Sequence, residues 1–149
     1  MAKSAARVVR LFGFDPKIAF LSHSTFGEPA TDRTKRLSDA VEILKKDNVD
    51  FKFDGKMQPD VALEEVYKEL YSFSEIVGSS NVLIMPSQHS AAISYKMIKS
   101  MSRAKVIGPL LVGLGQPIEI APLRSSTSDI INLASIAAYS ADVIQYKKN

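Results

Sequence analysis

The sequence predicts an α/β fold of three layers, a mostly parallel sheet with helices on both faces. Three observations carry that reading. Short apolar runs bounded by turn residues recur at 17–21 (KIAFL), 50–54 (DFKFD) and 81–85 (NVLIM). Between them lie longer segments whose apolar residues repeat at i, i+3, i+4 and i+7, such as Leu37, Ala40, Val41 and Leu44. The first pattern makes strands and the second makes helices, and their alternation builds a parallel sheet through right-handed crossovers. A chain of 149 residues is one domain's length and can bury a core; 46% apolar and 23% charged residues are ordinary for a globular protein.

Taken in order, residues 4–12 read as a short helix with Gly13 as its C′ glycine, and Pro16 separates it from the first strand. Residues 17–21 are a buried strand, and the polar loop 22–27 (SHSTFG) follows its C-terminal end. Pro29 and Thr31 precede a helix from about Asp32 to Lys46. In 50–54, Phe51 and Phe53 alternate with polar residues, a strand pattern, and 55–59 reads as a turn. Asp60 is placed to cap a helix whose stripe is Leu63, Val66, Tyr67 and Leu70. A loop over 71–80 leads to the strand 81–85, which Pro86 stops. Ser90 is then placed to cap a helix carrying Ile93, Met97, Ile98 and Met101, the methionines as core filling. Residues 109–113 read as a further strand, 118–120 as a second extended piece, and about 127–145 as a long apolar helix.

Composition removes several function classes. With no cysteine there is no disulfide and no thiolate metal site, which fits a reducing compartment and a cytoplasmic location. No apolar run is long enough to cross a bilayer, and the N-terminus lacks a signal peptide's apolar core. The net charge of +3 comes from basic residues spread along the chain, without the aromatic interleaving of a nucleic-acid surface. The expected partners therefore include no nucleic acid and no membrane, and no metal is expected.

In an open α/β sheet, ligands sit beyond the C-terminal ends of the strands. That rule singles out the loops at 22–27, 55–60, 86–90 and 113–128. Ser22, Ser24, Thr25 and Ser87 carry hydroxyls that can bind phosphate or can satisfy loop backbone. Arg124, Ser125 and Ser126 precede the last helix, whose start offers free N–H groups and a positive dipole end to an anion. Asp129, in the first turn of that apolar helix, is the candidate carboxylate of the stretch; the plainer role is a helix-dipole partner, and with Ser126 it resembles a capping box. His23 and His89 both follow predicted strands, but neither has a carboxylate companion at ligand spacing, which favours hydrogen-bonded loop histidines. The GLGQP segment lacks the third glycine of a dinucleotide fingerprint and does not open onto a helix, which excludes NAD binding through it.

Five segments, KIAFLSHSTFG, DGKMQPDVAL, GSSNVLIMPSQHSAAISYKMIK, IGPLLVGLGQPIEI and SDIINLASIAA, resemble in order and spacing the C-terminal part of phosphate acetyl/butyryltransferases. The match runs from about Lys17 to Ala141. It is most similar to the phosphotransacetylase-like C-terminal domain of bacterial NADP-dependent malic enzymes. The resemblance implies an isocitrate/isopropylmalate dehydrogenase-like fold, seen in part. Residues 14–107 would form the second subdomain, and 108–149 would return to the first.

The same resemblance implies an acyl-CoA cleft lined by residues 22–26, 86–90 and 122–129, with acetyl-CoA or coenzyme A as ligand. In active members an Asp takes the thiol proton, while Ser and Arg hold phosphate and the developing oxyanion. That Asp falls on Asp129. The Ser-Arg pair falls on Pro122 and Leu123, with Arg124 one place late, and a further arginine falls near Ser100, with Arg103 almost a turn on. The implied function is a regulatory acetyl-CoA-binding domain with degenerate catalytic residues. The alternative is an active acyltransferase that moves an acetyl or butyryl group between coenzyme A and phosphate. A malic-enzyme catalytic region on the N-terminal side and a homo-oligomer are further expectations.

Overall fold

The structure is a computed structural model and describes residues 1–27 and 31–146. Its elements are α1 (Ala2–Leu11), β1 (Lys17–Leu21), α2 (Asp32–Lys46), β2 (Lys52–Met57), α3 (Pro59–Leu63), a 3-10 turn (Glu65–Tyr67), β3 (Val82–Ile84), α4 (Gln88–Met101) and α5 (Thr127–Tyr146). They divide into two compact units, Met1–Lys96 and the chain from Met97 onward, and α4 carries the chain from one to the other.

The first unit is built on β1. This strand pairs parallel with β2 on one side and with β3 on the other, in the order β2-β1-β3. Successive side chains of a strand point to opposite faces, and β1 uses both. Ile18 and Phe20 pack into a cluster with Ala2 and Ala6 of α1 and with Leu37, Val41 and Leu44 of α2. Ala19 and Leu21 pack into a second cluster with Met57, Val61, Ala62, Ile76 and Val77. The apolar run KIAFL is continuous because both faces of this strand are covered.

α2 has the bounds that the spacing predicts, and its start shows why. The Thr34 N–H donates to Thr31 Oγ1 at 3.3 Å, and the Thr31 N–H donates to Thr34 Oγ1 at 2.8 Å, a reciprocal cap. Pro29, expected just before it, lies outside the described residues.

Four sequence expectations for local structure differ from the fold. Residues 55–57, expected as part of a turn, belong to β2. Gly55 pairs with Phe20, and Ser22 and Phe26 donate N–H bonds to Met57 and Lys56 carbonyls at 2.8 and 2.7 Å, so tertiary contacts draw the strand onward. A Cβ on Gly55, at φ +143°, would sit 2.6 Å from the Phe20 carbonyl oxygen, so the close approach demands glycine. The helix expected over 60–70 ends at Leu63. The carbonyls of Val61 and Ala62, which would have continued it, instead accept the N–H groups of Gly78 and Ser80 at 3.0 and 3.1 Å. Val66 and Leu70 are left largely exposed. α4 begins one turn earlier than expected. Its start is closed by Ser87 as well as Ser90, each N–H donating to the other's Oγ at 3.2 Å. Finally, 109–113 forms no strand; only an isolated antiparallel bridge joins Leu110 to Glu119.

The unit from Met97 onward contains the end of α4, that bridge and α5. Leu133 is its buried apolar side chain among the described residues. Met97 and Met101, expected in a core, are 54% and 80% exposed, and Ile130 and Ile131 are exposed as well.

Candidate functional site

The candidate residues fall in both units. In the first, the 22–27 loop leaves β1 at its C-terminal end and is held against β2. The Gln58 N–H donates to Thr25 Oγ1 at 3.1 Å, and Gln58 Nε2 donates to the His23 carbonyl at 2.9 Å. Ser22 Oγ accepts the Ser24 N–H at 3.4 Å, a serine turning its own loop. Ser24 is different. It is buried, and its hydroxyl has no hydrogen-bond partner among the described residues. A buried polar atom left unpaired is costly, so it calls for an explanation by water, ion or ligand. Thus the structure ties Thr25 and Ser22 into the loop and leaves Ser24 available. Ser87 serves the start of α4 through its bonds with Ser90, and His89 is exposed on that helix's first turn.

In the second unit the candidates gather at the N-terminus of α5. Asp129 Oδ2 accepts the Ser126 N–H at 2.9 Å and the Ser126 hydroxyl at 2.8 Å, while Ser126 Oγ accepts the Asp129 N–H at 3.2 Å. This closes the capping box that the sequence suggested, with Asp in the place of Glu. The two bonds from Ser126, backbone first and hydroxyl second, hold the Asp129 carboxyl below its ordinary value, and the charges of Lys99 and Lys105 add to the effect. A carboxylate so stabilised is a weaker base. Ser125 donates its N–H to the Pro122 carbonyl at 2.9 Å, and Arg124 is exposed in the turn between them.

Sequence reasoning missed three contributors. Gln58 anchors the 22–27 loop to the end of β2; its place directly after DGKM was the available signal. The Lys105 ammonium donates to Ser128 Oγ and so brings a cation to the start of α5. Asn132 lies three residues after Asp129, on the same helix face, and its Nδ2 is buried without a partner among the described residues. The polar pair Asp129 and Asn132 at i, i+3 in an apolar helix was the legible clue. Among the described residues no group of histidine, cysteine or carboxylate side chains is assembled to hold a metal.

These features make two chemically distinct parts. One is a helix start with backbone donors, hydroxyls and a lysine, suited to an anion. The other is a strand-end loop with a buried, unpaired hydroxyl.

Comparison with known proteins agrees with this architecture. Residues 1–138 match the family model described as phosphate acetyl/butaryl transferase. An NADP-dependent malic enzyme of Rhizobium meliloti is 46% identical over 141 residues, covering 95% of this chain and 18% of that protein. A phosphate acetyltransferase of Bacillus subtilis is 33% identical over 142 residues, covering 95% of this chain and 44% of that one. In three dimensions the chain is similar to a phosphotransacetylase from Streptococcus pyogenes with a TM-score of 0.85 at 34% identity, covering 93% of this chain and 42% of that one. The chain thus spans about a fifth of the malic enzyme and less than half of the acetyltransferases. With five motifs in order, a matching α/β framework and a family model over 138 residues, the chain belongs to the phosphate acetyl/butaryl transferase family.

Proposed function

We propose that this chain is the phosphotransacetylase-like domain of an NADP-dependent malic enzyme, and that it binds acetyl-CoA as a regulatory ligand without turning it over. The observation that carries the reading is the state of Asp129. Its carboxylate is engaged by Ser126 and shifted away from basicity, so the group that would take a thiol proton is occupied in capping a helix. The positions where active relatives are expected to hold Ser and Arg are Pro122 and Leu123. The higher identity to a malic enzyme than to an acetyltransferase, 46% against 33%, supports the same branch.

The binding chemistry suits coenzyme A. The start of α5, with Lys105, Ser125, Ser126 and Arg124, would hold phosphate, and Asn132 on the same helix offers an unpaired polar atom to one of the ligand's amide groups. Coenzyme A itself would supply a thioester carbonyl and a thiol. In this proposal the chain keeps the acyl group bound and lacks the fixed donors that stabilise a tetrahedral oxyanion. The isocitrate/isopropylmalate dehydrogenase-like assembly, the division at 107/108, a homo-oligomer, a cytoplasmic location and an oxidative decarboxylase region on the N-terminal side complete the proposal.

The second reading is a working phosphate acyltransferase. The family membership and the presence of both Asp129 and an arginine, Arg124, five positions before it favour it. Titration calorimetry with acetyl-CoA and a thiol-release assay with acetyl-CoA and phosphate separate the two. Regulatory binding gives heat without thiol release. Turnover that Asp129→Asn abolishes while the fold survives supports the enzyme. No heat and no thermal stabilisation by acetyl-CoA overturns the binding reading.

A further inference from the structure

Among the described residues, Lys56 in β2 is the only buried charged side chain. It is 6% exposed, and its ammonium has neither an ion-pair partner nor a hydrogen-bond acceptor among them. A lysine commonly buries its stem and keeps its head in water. A head standing free in water would leave far more of the residue exposed than this. An ammonium withdrawn from water without a partner is costly, so this one calls for an anion. The carboxylates near it in sequence are engaged elsewhere. Asp54 accepts the Gly55 N–H at 2.8 Å and faces Lys45, and Asp60 accepts the Tyr67 hydroxyl at 3.0 Å.

A second unsatisfied group lies at the same corner of the first unit. Lys56 stands between Gly55 and Met57, where the β1–β2 register shifts. Its carbonyl accepts the Phe26 N–H at 2.7 Å, and the Met57 carbonyl accepts the Ser22 N–H at 2.8 Å. Both ends of the 22–26 loop are therefore fixed to consecutive residues of β2, with Ser24 in the arch between them. Ser24 is 8% exposed, and its hydroxyl has no partner among the described residues. His23, between the two buried serines, is exposed, so the arch stands at the protein surface.

We propose that Lys56 and Ser24 hold a phosphate group at this corner, the ammonium meeting its charge and the Ser24 hydroxyl donating to one of its oxygens. An ammonium offers only donors and a hydroxyl adds one more, a set that suits an anion rich in acceptors and repels a cation. No residue of α5 takes part, and the site does not rest on the acetyl-CoA reading. Free inorganic phosphate and the phosphates of coenzyme A present the same chemistry, and the two arms of the test separate them.

The full chain is titrated at constant ionic strength with inorganic phosphate in one series and coenzyme A in another. Calorimetry and the thermal midpoint are the readouts, and Lys56→Met, Lys56→Arg and Ser24→Ala are the variants. The midpoint should rise with ligand concentration, as it does for anything that binds only the folded state. Lys56→Met should weaken binding about tenfold or more and Ser24→Ala several-fold, while Lys56→Arg, which keeps the charge, retains most of it. Without ligand, Lys56→Met should be at least as stable as the parent chain, because it removes an unpaired buried charge. If it fails to fold, Ser24→Ala decides alone. Free phosphate as the source predicts variant-sensitive binding in the first series, and coenzyme A as the source predicts it in the second series only. The proposal is overturned if neither series shows, up to millimolar ligand, binding that the variants weaken.

Discussion

β1 and α5 are both apolar segments, yet they are used in opposite ways. In β1, residues 18–21 are all buried, divided between two clusters on the two faces of the sheet. In α5, Leu133 is buried while Ile130, Ile131 and Tyr139 stand more than half exposed. Apolar content therefore does not decide burial. What decides it is whether two layers close over the element. The first unit supplies those layers within 96 residues; the unit from Met97 onward has no second layer of its own among the described residues. An apolar helix face in water is an unsatisfied surface, and such surfaces mark places where other protein packs.

The contrast can be broken most directly by truncating one residue on each side of it. Ile18 is fully buried, and Ile18→Ala should cost about 2–5 kcal/mol by lost transfer energy and the cavity left behind. Ile131 is 59% exposed, and Ile131→Ala should change stability by less than about 0.5 kcal/mol. Urea denaturation of the two variants measures both. A cost at Ile131 as large as that at Ile18 would mean that the α5 surface is covered in solution.

A smaller effect probes why the first unit closes so well. Gly55→Ala places a Cβ 2.6 Å from the Phe20 carbonyl oxygen at a φ that other residues avoid. It should cost about 1–3 kcal/mol, visible as a lower thermal midpoint. A neutral result would show that the β1–β2 contact can open without loss.

Smaller again are the helix caps, one in each unit. Thr31→Ala removes the Oγ1 that accepts the Thr34 N–H and should cost about 1 kcal/mol. For α5 the cap is tested by pH. The Asp129 carboxyl is held below its ordinary value of 3.8, so its contribution is present above that pH and is lost as acid protonates it in the folded state. Acid titration followed by circular dichroism should show helix loss that Asp129→Asn removes. An unchanged acid transition in that variant would mean that the Ser126–Asp129 box contributes nothing to α5.

Much of the candidate site was legible because helix starts are written locally. Ser126 and Asp129 stand three apart, and the reciprocal bonds follow from that spacing. The loop after β1 was legible for the same reason, since a short apolar run followed by hydroxyl residues marks a strand end. Ser24 and Thr25 are adjacent residues of one chemical kind, yet one is satisfied by Gln58 and the other is left unpaired. That difference depends on a residue 33 positions away and has no local signature. Lys105 is a similar case, as it reaches Ser128 across 23 positions.

The sequence by itself determined the alternation of strand and helix, the bounds of α2, the start of α5 and the double burial of β1. Each is encoded in periods of two or 3.6 residues and in caps that act over three or four positions. Tertiary structure alone decided that β2 runs through Gly55, that α3 stops at Leu63, and that residues 109–113 form no strand. Those outcomes turn on which carbonyl or N–H meets which partner from a distant segment. The Val61 and Ala62 carbonyls went to Gly78 and Ser80 instead of continuing their helix. A backbone group satisfied from outside its own segment is free of its neighbours' pattern, and that competition is invisible until the chain has folded.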